Sequence, residues 1–186
     1  MSKTVLVMCV LICVFAAVGF VHGQTRHKPL QAGPSSFYPD DEDRGFKDAQ
    51  PPSDAVLDAL LKTPEADEMR EELEKLDRED LRSLFSVVKA HLKNSNEIDE
   101  VVIGKDPMSG ADNDWFWIVR VMGGHAQILL FANGNGIDFL RTRTNGYREI
   151  ESVWYSAAGY SITRLYRYDG TVYKLARERT RTHQLP

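Results

Sequence analysis

A chain of 186 residues with a formal net charge of −4 has room for one well-filled core once any leader is set aside. Its two cysteines, Cys9 and Cys13, both stand in the N-terminal apolar stretch. That excludes a disulfide framework, a thiol nucleophile and a cysteine-ligated metal from the rest of the chain.

In chain order, Lys3 precedes an apolar run from Val5 to Val21 that ends in Val21-His22-Gly23. The pattern predicts a secretory signal over residues 1–23, cleaved after Gly23, and a secreted or periplasmic address. No basic stop-transfer cluster follows the run, so no membrane span is expected after cleavage. Residues 24–52 read as a disordered linker, punctuated by Pro29, Pro34, Pro39, Pro51 and Pro52 and carrying the acidic run Asp40-Asp41-Glu42-Asp43. That run reads as solvated charge rather than a calcium site.

Residues 53–179 are expected to form one α+β domain, with helices over 53–93. Ser53 caps a helix whose apolar face is Val56, Leu57, Leu60 and Leu61. Thr63-Pro64 opens a second, with Met69, Leu73 and Leu76 on one side. Asp77 caps a third, Arg78 to Leu92, with Leu81, Leu84, Phe85, Val88 and Leu92 at helical spacing and His91 on the surface near its end.

Strands are expected over about 98–178: Ile98–Gly104 as a short strand or an extended lead-in, then Trp115–Val121, Gln127–Phe131, Ile137–Thr142, Tyr147–Ser156, Ser161–Tyr168 and Thr171–Ala176, with 180–186 as a tail. Trp115–Val121 is apolar on both alternating faces, which marks a central strand. Turns fall at Gly123-Gly124, Asn133–Gly136, Asn145-Gly146, Ala157–Gly159 and Asp169-Gly170. The expected architecture is N-terminal amphipathic helices packed on a five- or six-stranded antiparallel meander sheet. In Tyr147–Ser156, Arg148, Ile150, Ser152 and Trp154 should face the helices, leaving Tyr147, Glu149, Glu151, Val153 and Tyr155 open.

Charge divides along the chain: residues 38–114 carry 22 acidic and 10 basic side chains, and residues 115–186 carry 5 and 10. An acidic helical layer attracted to a basic sheet is the expectation.

Little in the sequence points to catalysis. There is no Gly-x-Ser-x-Gly elbow and no zinc-type histidine pair; His27 and His183 fall in tails and His125 in a turn. No catalytic residue, metal or cofactor is assigned. Glu149 and Glu151 share a strand face at about 7 Å, but they stand among Arg148, Arg164 and Arg167 and read as ion pairs. A carboxylate-dependent hydrolase is the runner-up. Asn133, Asn135 and Asp138 have part of a calcium loop's spacing without its closing glutamate. The sharper signal is arginine interleaved with tyrosine: Arg141, Arg143, Arg164, Tyr147, Tyr155, Tyr166 and Tyr168 are the candidate binding residues. The secretory address argues against nucleic acid and for an envelope polysaccharide or an exported protein. A structural envelope subunit that assembles through its basic sheet edge is a third reading.

Trp115-Phe116-Trp117, Asn145-Gly146-Tyr147-Arg148-Glu149-Ile150 and the Tyr166–Tyr173 hairpin carry a resemblance. Over residues 113–174 the chain resembles secreted bacterial proteins of unknown function that end in a Trp-Phe-Trp strand, an Asn-Gly-Tyr-Arg-(acidic)-Ile turn-strand and a Tyr-x-Tyr-Asp-Gly-x-x-Tyr hairpin. The resemblance implies no catalytic residues. The leading expectation is a non-catalytic binding or inhibitor-like module of the bacterial cell envelope.

Overall fold

Tight turns dictate the connectivity of the protein, seen here in a computed structural model that describes residues 35–39, 46–93, 97–110 and 113–183. The expected signal segment 1–23, the run Asp40–Asp43 and residues 94–96 lie outside those residues. The elements are β1 (Ser36–Phe37), α1 (Asp54–Leu60), α2 (Pro64–Glu68), α3 (Arg70–Leu73), α4 (Arg78–Ser83), β2 (Phe85–Ala90), β3 (Asp99–Gly104), β4 (Asp114–Met122), β5 (His125–Gly134), β6 (Gly136–Thr144), β7 (Tyr147–Ser156), β8 (Tyr160–Tyr168) and β9 (Tyr173–Thr182).

They form two antiparallel sheets, one of four strands in the order β2-β3-β4-β5 and one of five in the order β1-β6-β7-β8-β9. Apart from β1, which pairs with β6, each is a meander of sequential neighbours, and two of the hairpins are closed by two-residue turns. Gly123 and Gly124 (φ 57° and 80°) join β4 to β5, and Asn145 and Gly146 (φ 50° and 82°) join β6 to β7. Asp169 caps the β8–β9 loop by accepting from the backbone N–H groups of Thr171 and Val172. Asn133–Gly136, expected as a turn, is instead the place where the chain passes from one sheet into the other. There the Asn135 N–H donates to the Val153 carbonyl at 2.7 Å. A Cβ on Gly134 would stand 2.6 Å from that same oxygen, so only glycine permits the approach.

The expected α+β architecture is overturned. Most of the described chain is strand, and the helices are four segments of four to seven residues. The decisive difference is Arg78–Leu92, expected as one helix: α4 stops at Ser83, and Phe85–Ala90 is an edge strand. Its residues are buried on both sides. Phe85 and Val87 face the helices, while Val88 and Ala90, with Leu92 beyond them, face the second sheet. An apolar run filling both faces matches helical spacing as well as strand, and the adjacent β-branched Val87 and Val88 tip the backbone to extended.

Two clusters hold the layers together. Between the sheets lie Phe37, Val101, Phe116, Ile118, Ile137, Phe139, Ile150 and Tyr166, so Ile150 meets the four-stranded sheet rather than the helices. On the other side of that sheet, Val56, Leu57 and Leu60 of α1 pack with Val87, Val102 and the fully buried Trp117. The N-caps read from sequence form: Ser53, Thr63 and Asp77 each accept a backbone N–H in the first turn. Acidic helices and arginine-rich strands therefore do not meet. The helices lie on the four-stranded sheet, and the arginine-rich strands β6 to β9 belong to the other.

Both domain edges extend past the expected limits. Within the segment expected as linker, β1 pairs with β6, Phe37 is fully buried, and Gln50 pairs with Val87. Within the expected tail, β9 continues to Thr182, and His183 meets the Ser161 hydroxyl through Nε2 at 2.9 Å.

Candidate binding face

Register places the side chains on one face of the five-stranded sheet, the face that carries Arg177, in lateral rows. Glu151, Leu165 and Arg177 form one, Val153, Thr163 and Arg179 the next, and Tyr155, Ser161 and Arg181 the third. Arg177, Arg179 and Arg181 are exposed, and with Glu151, Thr163 and Leu165 they line a depression of about 100 Å³. Leu165 and Val153 are buried on this outer face and belong to neither core cluster, so they give the rows an apolar floor. No ion pair reaches the three arginines among the described residues.

β9 gains its alternation from Arg-x-Arg-x-Arg over 177–181, with Thr180 and Thr182 as β-formers between and after. An irregularity between Leu165 and Tyr166 resets the register, so Tyr173 and Leu175 point to the side of Tyr168 and Tyr166, and Arg177 points to the side of Leu165. These arginines were missed in the sequence reading, which ended the last strand at Ala176 and the domain at 179. Their period-2 spacing was the available signal.

The residues expected to bind separate into three groups. Tyr147, Tyr166 and Tyr168 are buried core side chains, a correction that removes their rings as stacking surfaces. Tyr147 and Tyr168 stack with centroids 4.1 Å apart, and Tyr168 meets Tyr173 edge-on at 5.4 Å. Arg143 and Arg164 serve the fold. Arg143 donates to the carbonyls of Leu92 and Gly146, and Arg164 bonds Glu178 and the Asn133 side-chain oxygen, each at 2.7 Å. Only Tyr155, 54% exposed, and Arg141 remain open, and Tyr155 stands in the Arg181 row.

Of the two carboxylates considered for hydrolysis, Glu149 is occupied and Glu151 lines the arginine depression. Glu149 is buried at 7% exposure and accepts from the hydroxyls of Thr142 and Thr144 and from Arg167, each at 2.8 Å. Burial opposes its charge, but the two hydroxyls and the guanidinium outweigh that and hold its pKa below the ordinary range. Asn133, Asn135 and Asp138 are likewise engaged, by Arg164, the Tyr155 N–H and the Tyr38 hydroxyl. Among the described residues no acidic, histidine or cysteine group is arranged to hold a metal ion, and no helix is long and apolar enough to cross a membrane.

Behind the face, a buried polar knot fixes the start of β9. Asp99, fully buried, pairs with Arg120 at 3.0 Å, and the Arg120 guanidinium lies 4.9 Å from the Tyr147 ring centroid. Burial pushes the Asp99 carboxyl above its ordinary range despite Arg120. Tyr173 opens β9 and donates its hydroxyl to the Arg148 carbonyl at 2.9 Å. His91, expected on a helix surface, instead follows β2 with its Nδ1 buried and unpartnered among the described residues.

A separate groove of about 770 Å³ runs beside β2, lined by Lys47, Pro51, Arg82, Val87, Lys89 and Glu100 among others. Burial raises the pKa of Glu100 there.

Compared with known proteins, the chain matches no family model, no curated protein and no solved structure significantly. Function is accordingly inferred from the geometry.

Proposed function

We propose that the chain is a secreted, non-catalytic binding module of the bacterial cell envelope, that its contact surface is the outer face of the five-stranded sheet, and that its ligand is anionic and extended. The observation that carries this is the set of three exposed arginines at alternate positions of β9, without a carboxylate partner among the described residues, beside an apolar floor of Val153 and Leu165. Guanidinium groups favour carboxylates, sulfates and phosphates because their planar donor fork matches those groups. The leader-like N-terminus and the resemblance over residues 113–174 support the envelope address. The acidic helices on the opposite side would repel the same ligand, which gives the molecule one binding face.

Binding to immobilised polyglutamate and to an acidic polysaccharide, measured against salt, tests the reading. The wild type should bind at low ionic strength and release as salt rises. Joint Arg177→Glu, Arg179→Glu and Arg181→Glu substitution should weaken binding at least tenfold without changing thermal stability. Equal binding by the reversed variant would refute the assignment of this face.

A further inference from the structure

We infer that the partner is an acidic polypeptide segment that adds to the free edge of β9 as a further strand, an inference that rests on the anionic-ligand reading above. β9 is the terminal strand of its sheet, pairs only with β8, and runs for ten residues with Lys174–Thr182 all exposed. Half of its backbone N–H and C=O groups point away from β8, forming an unpaired ladder that an extended chain can complete. Among the described residues nothing covers that edge.

Three features select the occupant. First, the ladder itself: backbone donors and acceptors recur at strand spacing, which matches another polypeptide and not a sugar polymer. Second, the charge pattern: Lys174, Arg177, Arg179 and Arg181 project to one side, and the opposite side carries Glu178, already tied to Arg164, with Thr180 and Thr182. Side chains directly opposite on neighbouring strands stand about 5 Å apart at Cβ, so acidic residues at alternate positions of an added strand would each meet an arginine. The segment recognised is therefore acidic-x-acidic-x-acidic, with small or β-branched residues between, since these fit a pleated surface beside threonine. Third, self-pairing is disfavoured. Two β9 strands joined edge to edge would bring both arginine sets onto one face, and like charges across a ladder are destabilising. The basic edge thus blocks a second copy while leaving the ladder open to a chain of opposite charge.

Peptide titration against the purified protein, followed by fluorescence anisotropy, tests this. Four probes are needed: an alternating Glu-Val octapeptide, a block isomer with the same residues as Glu-Glu-Glu-Glu-Val-Val-Val-Val, the alternating peptide N-methylated at every second residue on its pairing edge, and an acidic polysaccharide. The alternating peptide should bind about tenfold more tightly than the block isomer, as three or four cross-strand ion pairs allow. The N-methylated peptide should lose that advantage, and the Arg177→Gln, Arg179→Gln, Arg181→Gln variant should show no preference. Equal affinity for alternating and block peptides would overturn strand addition while leaving the anionic face intact. Tighter binding of the polysaccharide than of the alternating peptide would overturn the polypeptide partner. Binding of none of the four would overturn both the strand and the face.

Discussion

Replacing Asp99 by alanine removes the carboxylate that pairs with Arg120 at 3.0 Å and leaves that guanidinium in a site where its side chain is only 11% exposed. The Tyr147 ring, 4.9 Å away, offers partial compensation through its π face. Breaking a buried pair commonly costs 3–5 kcal/mol, and the ring together with the remaining exposure puts Asp99→Ala at about 3 kcal/mol, the lower end. A buried ion pair is in general a weak source of net stability, because desolvation offsets the attraction between its members. Burial keeps the Asp99 carboxyl above its usual range even beside Arg120, whereas burial of Arg120 is outweighed by Tyr168 and Asp99, which hold its guanidinium charged. Joint replacement by Asp99→Val and Arg120→Met should therefore cost less than about 1 kcal/mol, because neither charge is then left alone. Urea unfolding of the two single variants and the double variant, read by tryptophan fluorescence, gives the coupling directly. An Asp99→Ala loss below 1 kcal/mol, or a double variant as unstable as the sum of the singles, would refute the description of Asp99 and Arg120 as a desolvated, mutually dependent pair.

Glu149 should show the opposite dependence on pH from Asp99. Its folded pKa lies below the unfolded value of about 4.3, so its contribution is present above that pH and lost as pH falls through the folded value. Glu149→Gln should cost about 1–2 kcal/mol at neutral pH, discounted because Arg167 is half exposed, and the difference from wild type should vanish on acidification; a gap that persists in acid would count against it. For Asp99 the folded pKa is raised, so its own contribution is full below about pH 3.9 and is lost as pH rises through the folded value; wild-type unfolding curves compared with the Asp99→Val/Arg120→Met variant should show that slope only in wild type. Gly134→Ala should destabilise by about 2–3 kcal/mol because the new methyl meets the Val153 carbonyl. Gly146→Ala, in open space with φ 82°, should cost only about 1 kcal/mol of backbone strain. Thermal melts that rank these two glycines in the reverse order would contradict the crossing at Asn135.

What the sequence made legible was set by local chemistry. Asn145-Gly146 and Gly123-Gly124 require positive φ and announce their hairpins, and Ser53, Thr63 and Asp77 carry cap side chains at the right spacing. Trp115–Val121 was readable as a central strand because it is apolar on both faces, and β4 does lie between β3 and β5. Phe85–Ala90 was not, since an apolar run buried on both sides has no single period to read. β1 escaped notice because two residues, Ser36 and Phe37, gain their strand partner only through tertiary contact with Asp138 and Ile137. In the candidate site, arginine and tyrosine were recognised as a combination, but their division into core and surface depends on a second sheet. Tyr147, Tyr166 and Tyr168 went to the interior with that sheet against them, and the register irregularity in β9 sent Arg177, Arg179 and Arg181 outward.

Amide chemical-shift mapping with the alternating acidic peptide addresses the binding face most directly. Shifts centred on Arg177–Thr182, with a smaller response at Thr163 and Leu165 in β8, are the predicted result. Shifts centred instead on the groove lined by Lys47, Pro51 and Lys89, or on the acidic helices, would contradict it.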